Sequence, residues 1–390
     1  MVSEMLSKRP VQKRIRLGMV GGGQGAFIGE IHRIAARLDN RFELVAGALS
    51  SDNQRAHTSA EALGIDSKRS YSDFVDMARR EAELKQGIEA CVVVTPNHQH
   101  YRAAKAMLEA GIHVICDKPL TANLADAEAL QQLADASGLV FAVTYNYSGY
   151  PMVREARELV ASDALGELRL VQVEYPQDWL ATNIEANGQK QAAWRTDPAQ
   201  AGAGGSIGDI GSHAFHLAEF VSGLRCISLL ADLKSFVPDR KLDDNAHVLL
   251  RFDNGARGML WASQVATGHE NGLRLRIYGE KAGLEWLQEE PNTLLLKPLG
   301  APTQKITRGS AVLGSDARYA TRLPAGHPEG FLEGFANLYR EFADTLEARR
   351  DSMIPPVTLL PTVADGVRGV KFIEKVVASA KTGSIWQSLE

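Results

Sequence analysis

Gly111-Ile112-His113-Val114-Ile115-Cys116-Asp117-Lys118-Pro119 is an apolar run of strand character that stops abruptly at an acid, a base and a proline. Strands buried on both faces of a parallel sheet read as such runs. Ligands of open α/β sheets bind just outside the carboxyl ends of the strands, so Lys118 falls where such a sheet does its chemistry. Pro119 fixes the direction of the departing chain. Taken alone, Lys118 also fits a surface lysine in a strand-to-helix turn, and its company elsewhere in the chain decides between the two.

Working outward, the same rhythm repeats. Apolar strand patterns at 15–20, 42–49, 88–94, 113–116 and 139–143 alternate with helical patterns at 28–38, 53–63, 98–110 and 124–136. This alternation predicts an α/β fold, a doubly wound parallel Rossmann sheet, over residues 15–147. Beyond it the rhythm changes. A helix at 152–160 leads into strands at 168–174, 227–233, 246–252, 256–263, 273–278 and 294–297, with Asp253-Asn254-Gly255 as a hairpin turn. Residues 148–390 therefore read as an α+β domain for substrate and oligomerisation, built on a large, mostly antiparallel sheet. Such a sheet with one uncovered face predicts a homodimer or homotetramer. Helices at 331–348 and 360–380 close the chain, the second expected to pack back near the first domain. Residues 303–323 carry the least pattern and read as a long loop near the site or an interface.

The bulk numbers bound the function. A length of 390 residues exceeds one ordinary core and predicts two domains. With 45% hydrophobic and 23% charged residues, the composition is that of a soluble globular protein. A net charge of −4 gives no general reason to bind nucleic acid or a membrane surface. The basic cluster Lys8, Arg9, Lys13, Arg14 and Arg16 precedes the first strand, and residues 1–14 read as a flexible leader. The first residues lack the apolar core of a signal peptide, and no later run is long and apolar enough for a membrane span. Cys91, Cys116 and Cys226 fit neither a zinc spacing nor a disulfide framework, so a reducing, cytoplasmic setting is expected.

Three clusters carry chemistry. In the stretch from Leu17 to Gly29, glycines let the backbone turn sharply and approach a pyrophosphate at a helix amino terminus. Gly21 and Gly23 match the first two glycines of a dinucleotide fingerprint. The third is Ala26 in normal spacing, or Gly29 after a three-residue insertion, in which case Gln24, Gly25, Ala26 and Phe27 cover the cofactor. The second strand ends Leu49-Ser50-Ser51-Asp52, with Arg55 beyond, and has no acid where an NAD site places one. Hydroxyls beside a guanidinium suit a 2′-phosphate, which favours NADP over NAD; alternatively Asp52 reaches the ribose and Arg55 is a surface residue.

The second cluster, Thr95-Pro96-Asn97-His98-Gln99-His100, also follows a strand. Thr95 and Asn97 are placed to touch ribose or nicotinamide, although Asn97 equally suits a helix cap. His98 and His100 have a metal-ligand spacing, but no acid or cysteine joins them, and no metal is expected. The third cluster runs from Gly204 to His216. Asp209 and His213, four apart, share one helix face, where a carboxylate and an imidazole can form an acid–base pair. The alternative is that Asp209 charges the first turn while His213 packs inside.

In this order, the glycine-rich turn, Thr95-Pro96-Asn97 with His100, Asp117-Lys118-Pro119 and Gly208-Asp209-Ile210-Gly211-x-His213 resemble the Gfo/Idh/MocA family of sugar and polyol oxidoreductases. Gly279-Glu280-Lys281-Ala282-Gly283, Asp365-Gly366 and Ser379-Ala380-Lys381-Thr382-Gly383 extend the resemblance to nearly the whole chain from Ile15. It implies that Gly29 is the third glycine, that Lys118 lies between nicotinamide and substrate hydroxyl, and that Asp209 and His213 are the paired catalytic acid and histidine. It matches Asn146 and Tyr147, placed after a sixth strand, to the domain junction beside the nicotinamide, and Ser50 and Arg55 to the 2′-phosphate contacts of NADP-using members. Two departures stand out. Asp117 replaces the usual glutamate, one methylene shorter, and the glycine loop is lengthened.

The expected reaction is reversible hydride transfer between NAD(P) and a secondary hydroxyl of a sugar or cyclic polyol. His213 takes the hydroxyl proton, its pKa suiting the task. Asp209 orients or charge-balances His213 or contacts a neighbouring hydroxyl, and Lys118 stabilises alkoxide charge. Tyr175, Gln177, Asp178, Trp179, Trp194 and Arg195 are placed to face the sugar, with core packing as the alternative for the tryptophans. A glycosidase working through transient oxidation and a non-catalytic dinucleotide-binding regulator are the other classes. Retention of Lys118, Asp209 and His213 together speaks against the regulator.

Overall fold

The computed structural model describes residues 13–390; the basic residues Lys8 and Arg9 and most of the leader lie outside the described residues. The first half alternates β1 (Ile15–Gly21), α1 (Phe27–Leu38), β2 (Phe42–Ala48), α2 (Asn53–Ala62), α3 (Phe74–Glu83), β3 (Ala90–Val94), α4 (Asn97–Glu109), β4 (His113–Cys116), α5 (Leu124–Ser137) and β5 (Phe141–Val143). The strands form one parallel sheet in the order β2-β1-β3-β4-β5. It has five strands, not six, so Asn146 and Tyr147 follow the fifth. All five residues of β3 are buried, as expected of a strand covered on both faces. α3 escaped the pattern reading because half of its ten residues are charged, three acids and two bases; Asp73 starts it by accepting from the Val75 and Asp76 amides at 2.8 Å.

The second half runs α6 (Pro151–Ala161), β6 (Leu168–Pro176), the short helices α7 (Lys190–Arg195) and α8 (Pro198–Ala201), and a π-turn at Ile207–Gly211 leading into α9 (Ser212–Ser222). Then come β7 (Cys226–Lys234), β8 (Asn245–Phe252), β9 (Arg257–Ser263), β10 (Arg274–Gly279), β11 (Ala282–Leu287), β12 (Thr293–Pro298) and β13 (Gln304–Thr307). α10 (Ser315–Ala320), α11 (Phe331–Arg350), α12 (Val363–Lys381) and β14 (Gln387–Ser388) complete the chain. The nine-stranded sheet has the order β13-β12-β11-β10-β6-β9-β8-β7-β14. It is antiparallel except for β6 beside β9. One face packs on α6, α9 and α12 through Val171, Val248, Leu250, Phe215 and Phe372. The alternate residues Leu170, Leu249 and Met259 stay exposed on the other face.

The last two long helices finish the parallel sheet. Phe335, Tyr339 and Phe342 of α11 join the apolar layer on the face that holds α1, and Val363 and Val370 of α12 join the layer on the opposite face. The segment ahead of α12 also covers the β5 edge, where the Val143 amide donates to the Pro361 carbonyl at 2.9 Å. Gly366 lets α12 come this close, since a Cβ there would stand 2.9 Å from Leu120 Cβ.

Residues 303–323 are a folded lobe rather than an open loop. Besides β13 and α10 they contain Arg308, buried and paired with Glu329 at 2.8 Å while donating to the Leu323 carbonyl at 2.7 Å. None of them lines the main cleft.

Candidate active site

A cleft of about 1160 Å³ runs along the carboxyl edge of the parallel sheet and under the nine-stranded sheet. Single-ligand pockets run to roughly 1000 Å³, so this volume has room for a dinucleotide and a second small molecule.

At its first end the glycine loop is shaped by close approach. Gly21 has φ +80°, and a Cβ there would meet the Val94 carbonyl oxygen at 2.9 Å; one on Gly23 would meet the Leu49 carbonyl oxygen at 2.6 Å. Gly29 lies under the loop inside α1, where a Cβ would fall 2.4 Å from Gly22 Cα. That is the helix-packing position of a third glycine, which Ala26 does not take. Gln24, Ala26 and Phe27 line the cleft, whereas Gly25 sits at the turn outside it and leaves it no wall. Arg33, a residue sequence reading passed over, steadies the loop by donating to the Gly22 carbonyl at 2.6 Å.

Ser50, Ser51 and Arg55 line the cleft at the end of β2. Asp52 does not. Its carboxylate caps α2, accepting from the Arg55 amide at 2.8 Å. The Thr95 hydroxyl and the Asn146 amide nitrogen, both on the cleft wall, are buried without partners. Buried polar atoms are ordinarily bonded, so these orphans and the glycine cradle fit a nicotinamide dinucleotide. Pro96 and Asn97 line the wall as well, but the Asn97 amide is already spent, donating to the Ala201 carbonyl at 2.9 Å. His100 does not reach the cleft. Its ring is clamped between the Thr95 and Pro119 carbonyls at 2.8 and 2.9 Å, tying together the ends of β3 and β4.

The reactive end joins both halves of the chain. Lys118, followed by a cis peptide to Pro119, donates from Nζ to Asp209 Oδ1 at 2.9 Å and to the Asp209 carbonyl at 2.7 Å. Gln264 donates to Asp209 Oδ2 at 2.9 Å, and Arg195 Nε lies 3.3 Å from the same oxygen. Burial alone would raise the Asp209 pKa, but the Lys118 and Arg195 charges hold its carboxyl well below the usual carboxylate range. Asp117 accepts from the Thr144 hydroxyl at 2.7 Å and from the Lys118 amide at 2.8 Å, so its shorter side chain is anchored at the cleft wall.

Asp209 and His213 share the start of one helix, yet the carboxylate faces Lys118 rather than the imidazole. The reason is the π-turn, which widens the helix by one residue at the site. Asp243, missed in sequence reading, holds this turn: its carboxylate accepts from the Gly205 amide, the Ser206 hydroxyl and the Ile207 amide at 2.7 to 2.8 Å. Gly205 must be glycine, for its Cβ would meet the Asp243 carbonyl at 2.1 Å. His213 lines the cleft with Nδ1 buried and unpartnered. Burial, with Lys118 adding to it, pushes its pKa well below the ordinary value, so the ring is neutral at neutral pH.

The substrate end is walled by Tyr147, Tyr175, Gln177, Trp179, Trp194 and Arg195. The Arg195 guanidinium lies 4.2 Å over the Trp194 ring and 5.9 Å from that of Trp179. Asp178 points elsewhere, accepting from the Gly268 amide at 3.0 Å outside the cleft. Asn271 and Gln288 line this end too, and neither carries a sequence signal that would have found it.

The fold and its glycine loop define an oxidoreductase with an NAD-binding Rossmann domain, the description of the family model that matches residues 15–145. A second model, the GFO/IDH/MocA C-terminal domain, matches residues 153–285, and the chain belongs to the Gfo/Idh/MocA family. Among solved structures, an oxidoreductase from Sinorhizobium meliloti is 55% identical, with 96% of this chain and 100% of that one covered and a TM-score of 0.88. An inositol dehydrogenase homologue from Azotobacter vinelandii, complexed with NAD+, is 40% identical over 98% and 99% of the two chains, TM-score 0.93. A complex of an inositol dehydrogenase homologue from the same organism with NADH and myo-inositol matches at 38% identity over 96% and 98%, TM-score 0.89. No helix among the described residues is long and apolar enough to cross a membrane.

Proposed function

We propose that this protein is a dehydrogenase or reductase that moves a hydride between a nicotinamide dinucleotide and a secondary carbinol of a cyclic polyol or sugar. The observation that carries the reading is the Lys118–Asp209 pair beside a neutral, cleft-facing His213, in the same cleft as the glycine loop. The dinucleotide would be held by Gly21, Gly23, Thr95 and Asn146, and supplies or accepts the hydride. Lys118, paired with Asp209, donates to the reacting oxygen and stabilises negative charge on it. His213 accepts the hydroxyl proton on its cleft-facing nitrogen. Asp209, with both oxygens occupied, balances charge and is not the base. The tryptophan wall suits the C–H face of a ring, and myo-inositol in the Azotobacter relative supports the substrate class.

Three finer points belong to the same proposal. Ser50, Ser51 and Arg55, with no acid at the end of β2, favour NADP over NAD. Leu170, Leu249 and Met259 on the open sheet face suit a second copy of the chain. Three unpaired, buried thiols suit a reducing compartment.

The test follows reduced-cofactor absorbance with NAD+ and NADP+ over a panel of inositols and sugars. Turnover with a cyclic polyol is expected, falling about a hundredfold or more in Lys118→Ala and in His213→Ala while cofactor still binds. Undiminished turnover in both variants would refute the assignment. Release of a free sugar without net cofactor reduction would favour glycosidic cleavage instead.

A further inference from the structure

A general base needs a fixed ring, and catalytic histidines ordinarily obtain it through a hydrogen bond from the second nitrogen. His213 has no such bond. Its Nδ1 is buried and unpartnered, and the one nearby carboxylate, Asp209, is engaged by Lys118, Gln264 and Arg195. An imidazole on an sp³–sp² torsion would otherwise swing broadly. What holds this ring is aromatic. The Tyr147 ring meets it edge to face at 5.0 Å and 75°, and the Tyr145 ring at 5.9 Å and 85°. Tyr145 is fixed in turn by stacking on His216 at 4.2 Å.

Tyr147 is fixed by a polar chain. Its hydroxyl bonds that of Tyr175, which donates to Asn271 Oδ1 at 2.8 Å. The same Asn271 oxygen accepts from Gln177 at 2.7 Å, its Nδ2 donates to Gln288 at 3.0 Å, and its backbone amide donates to Glu289 at 3.0 Å. Asn271, in the β9–β10 connection, is thus clamped from the end of β6 and from the end of β11. Tyr147 and Tyr175 are buried, and burial raises both phenol pKa values, that of Tyr147 to about 12, so the chain stays protonated throughout the working pH range.

We propose that Tyr175 and Asn271 are positioning residues that act through Tyr147 to set the plane of the His213 ring, in place of the hydrogen bond that ring lacks. This rests on His213 being the base, but its test does not. The test is a histidine-labelled NMR titration of the whole protein without substrate, the His213 signal being identified by its loss in His213→Asn. The charged and titratable groups facing the ring are Lys118 from the end of β4, Asp209 from the π-turn, His216 from its own helix, and Tyr145 and Tyr147 from the segment after β5.

In the unaltered protein one tautomer and a midpoint below the ordinary histidine value are expected. Tyr175→Phe and Asn271→Ala should mix the tautomers and raise the midpoint by about one pH unit as the ring reaches water. Tyr147→Phe, which keeps the edge contact and loses only the hydroxyl, should shift it less than Tyr147→Leu. An unchanged His213 signal in folded Tyr175→Phe, the isosteric variant, overturns the proposal. Retained turnover in His213→Asn would instead sink the base assignment and leave the positioning result standing.

Discussion

At the scale of single residues, the site divides into those that hold charge and those that hold shape. Under the proposed preference for NADP, Arg55 is of the first kind. A guanidinium bonded to a 2′-phosphate contributes about 1.5 to 3 kcal/mol. Arg55→Ala should therefore weaken NADP+ binding about tenfold to a hundredfold and leave NAD+ binding almost unchanged; calorimetry with both dinucleotides measures this directly. Asp243 is of the second kind. Asp243→Ala leaves two amides and a hydroxyl unsatisfied at the π-turn, and should lower the rate of hydride transfer with cofactor affinity retained. Lys118, Asp209 and His213 were legible in the sequence because each ends an apolar strand or shares a helix face in a spaced motif. Asp243, Gln264 and Asn271 were not, because each acts from a loop through long-range hydrogen bonds, and no local period records such partners. His100 and Asp178 show the converse, polar residues beside a motif whose side chains are taken up by carbonyl and amide groups of the scaffold.

At the scale of elements, the glycine loop and α1 form one unit. A methyl group at residue 29 would fall within 2.4 Å of Gly22 and must push the helix off the loop. Gly29→Ala should cost about 1 to 3 kcal/mol in stability and weaken dinucleotide binding as well, which a thermal melt with and without NADP+ separates. Most strands of both sheets were legible, because burial on two faces gives continuous apolar runs and burial on one gives alternation. Some of the elements that escaped show why. α3 is half charged, while β13 and α10, at four and six residues, are too short to show a period. The parallel pairing of β6 with β9 was hidden too, since register between distant strands leaves no local trace.

At the scale of the whole molecule, five histidines held neutral by burial set the response to acid, His100 and His213 among them. Burial pushes His32, His113 and His216 each down to about 4. His113 is fixed as neutral by the Val140 amide, which donates to its Nδ1 at 2.9 Å. Above pH 6.5 these rings are uncharged both folded and unfolded, and stability does not depend on them. As pH falls from 6.5 towards 4 the unfolded chain takes up protons that the folded one refuses, so stability is progressively lost. His32 alone contributes about 3 kcal/mol of that loss, at about 1.4 kcal/mol per pKa unit. Denaturant titrations at pH 7 and pH 4.5 should show a marked drop in midpoint, reduced in His32→Gln. On the open sheet, Leu249→Glu should shift the protein to a smaller species in sedimentation while leaving its melting temperature nearly unchanged, as expected of a surface that a second copy covers.

The parallel sheet takes its outermost layers from residues 331–390, through Phe335 and Phe342 on one face and Val363 and Val370 on the other. During synthesis the glycine loop and β1 emerge well ahead of residues 331–390, yet the apolar surface beside them stays bare until those residues follow. A nascent chain halted before α11 would therefore present two sticky faces to solvent and call for a chaperone, and a premature stop codon near residue 330 should abolish cofactor binding although Gly21, Gly23, Thr95 and Asn146 all lie upstream of it.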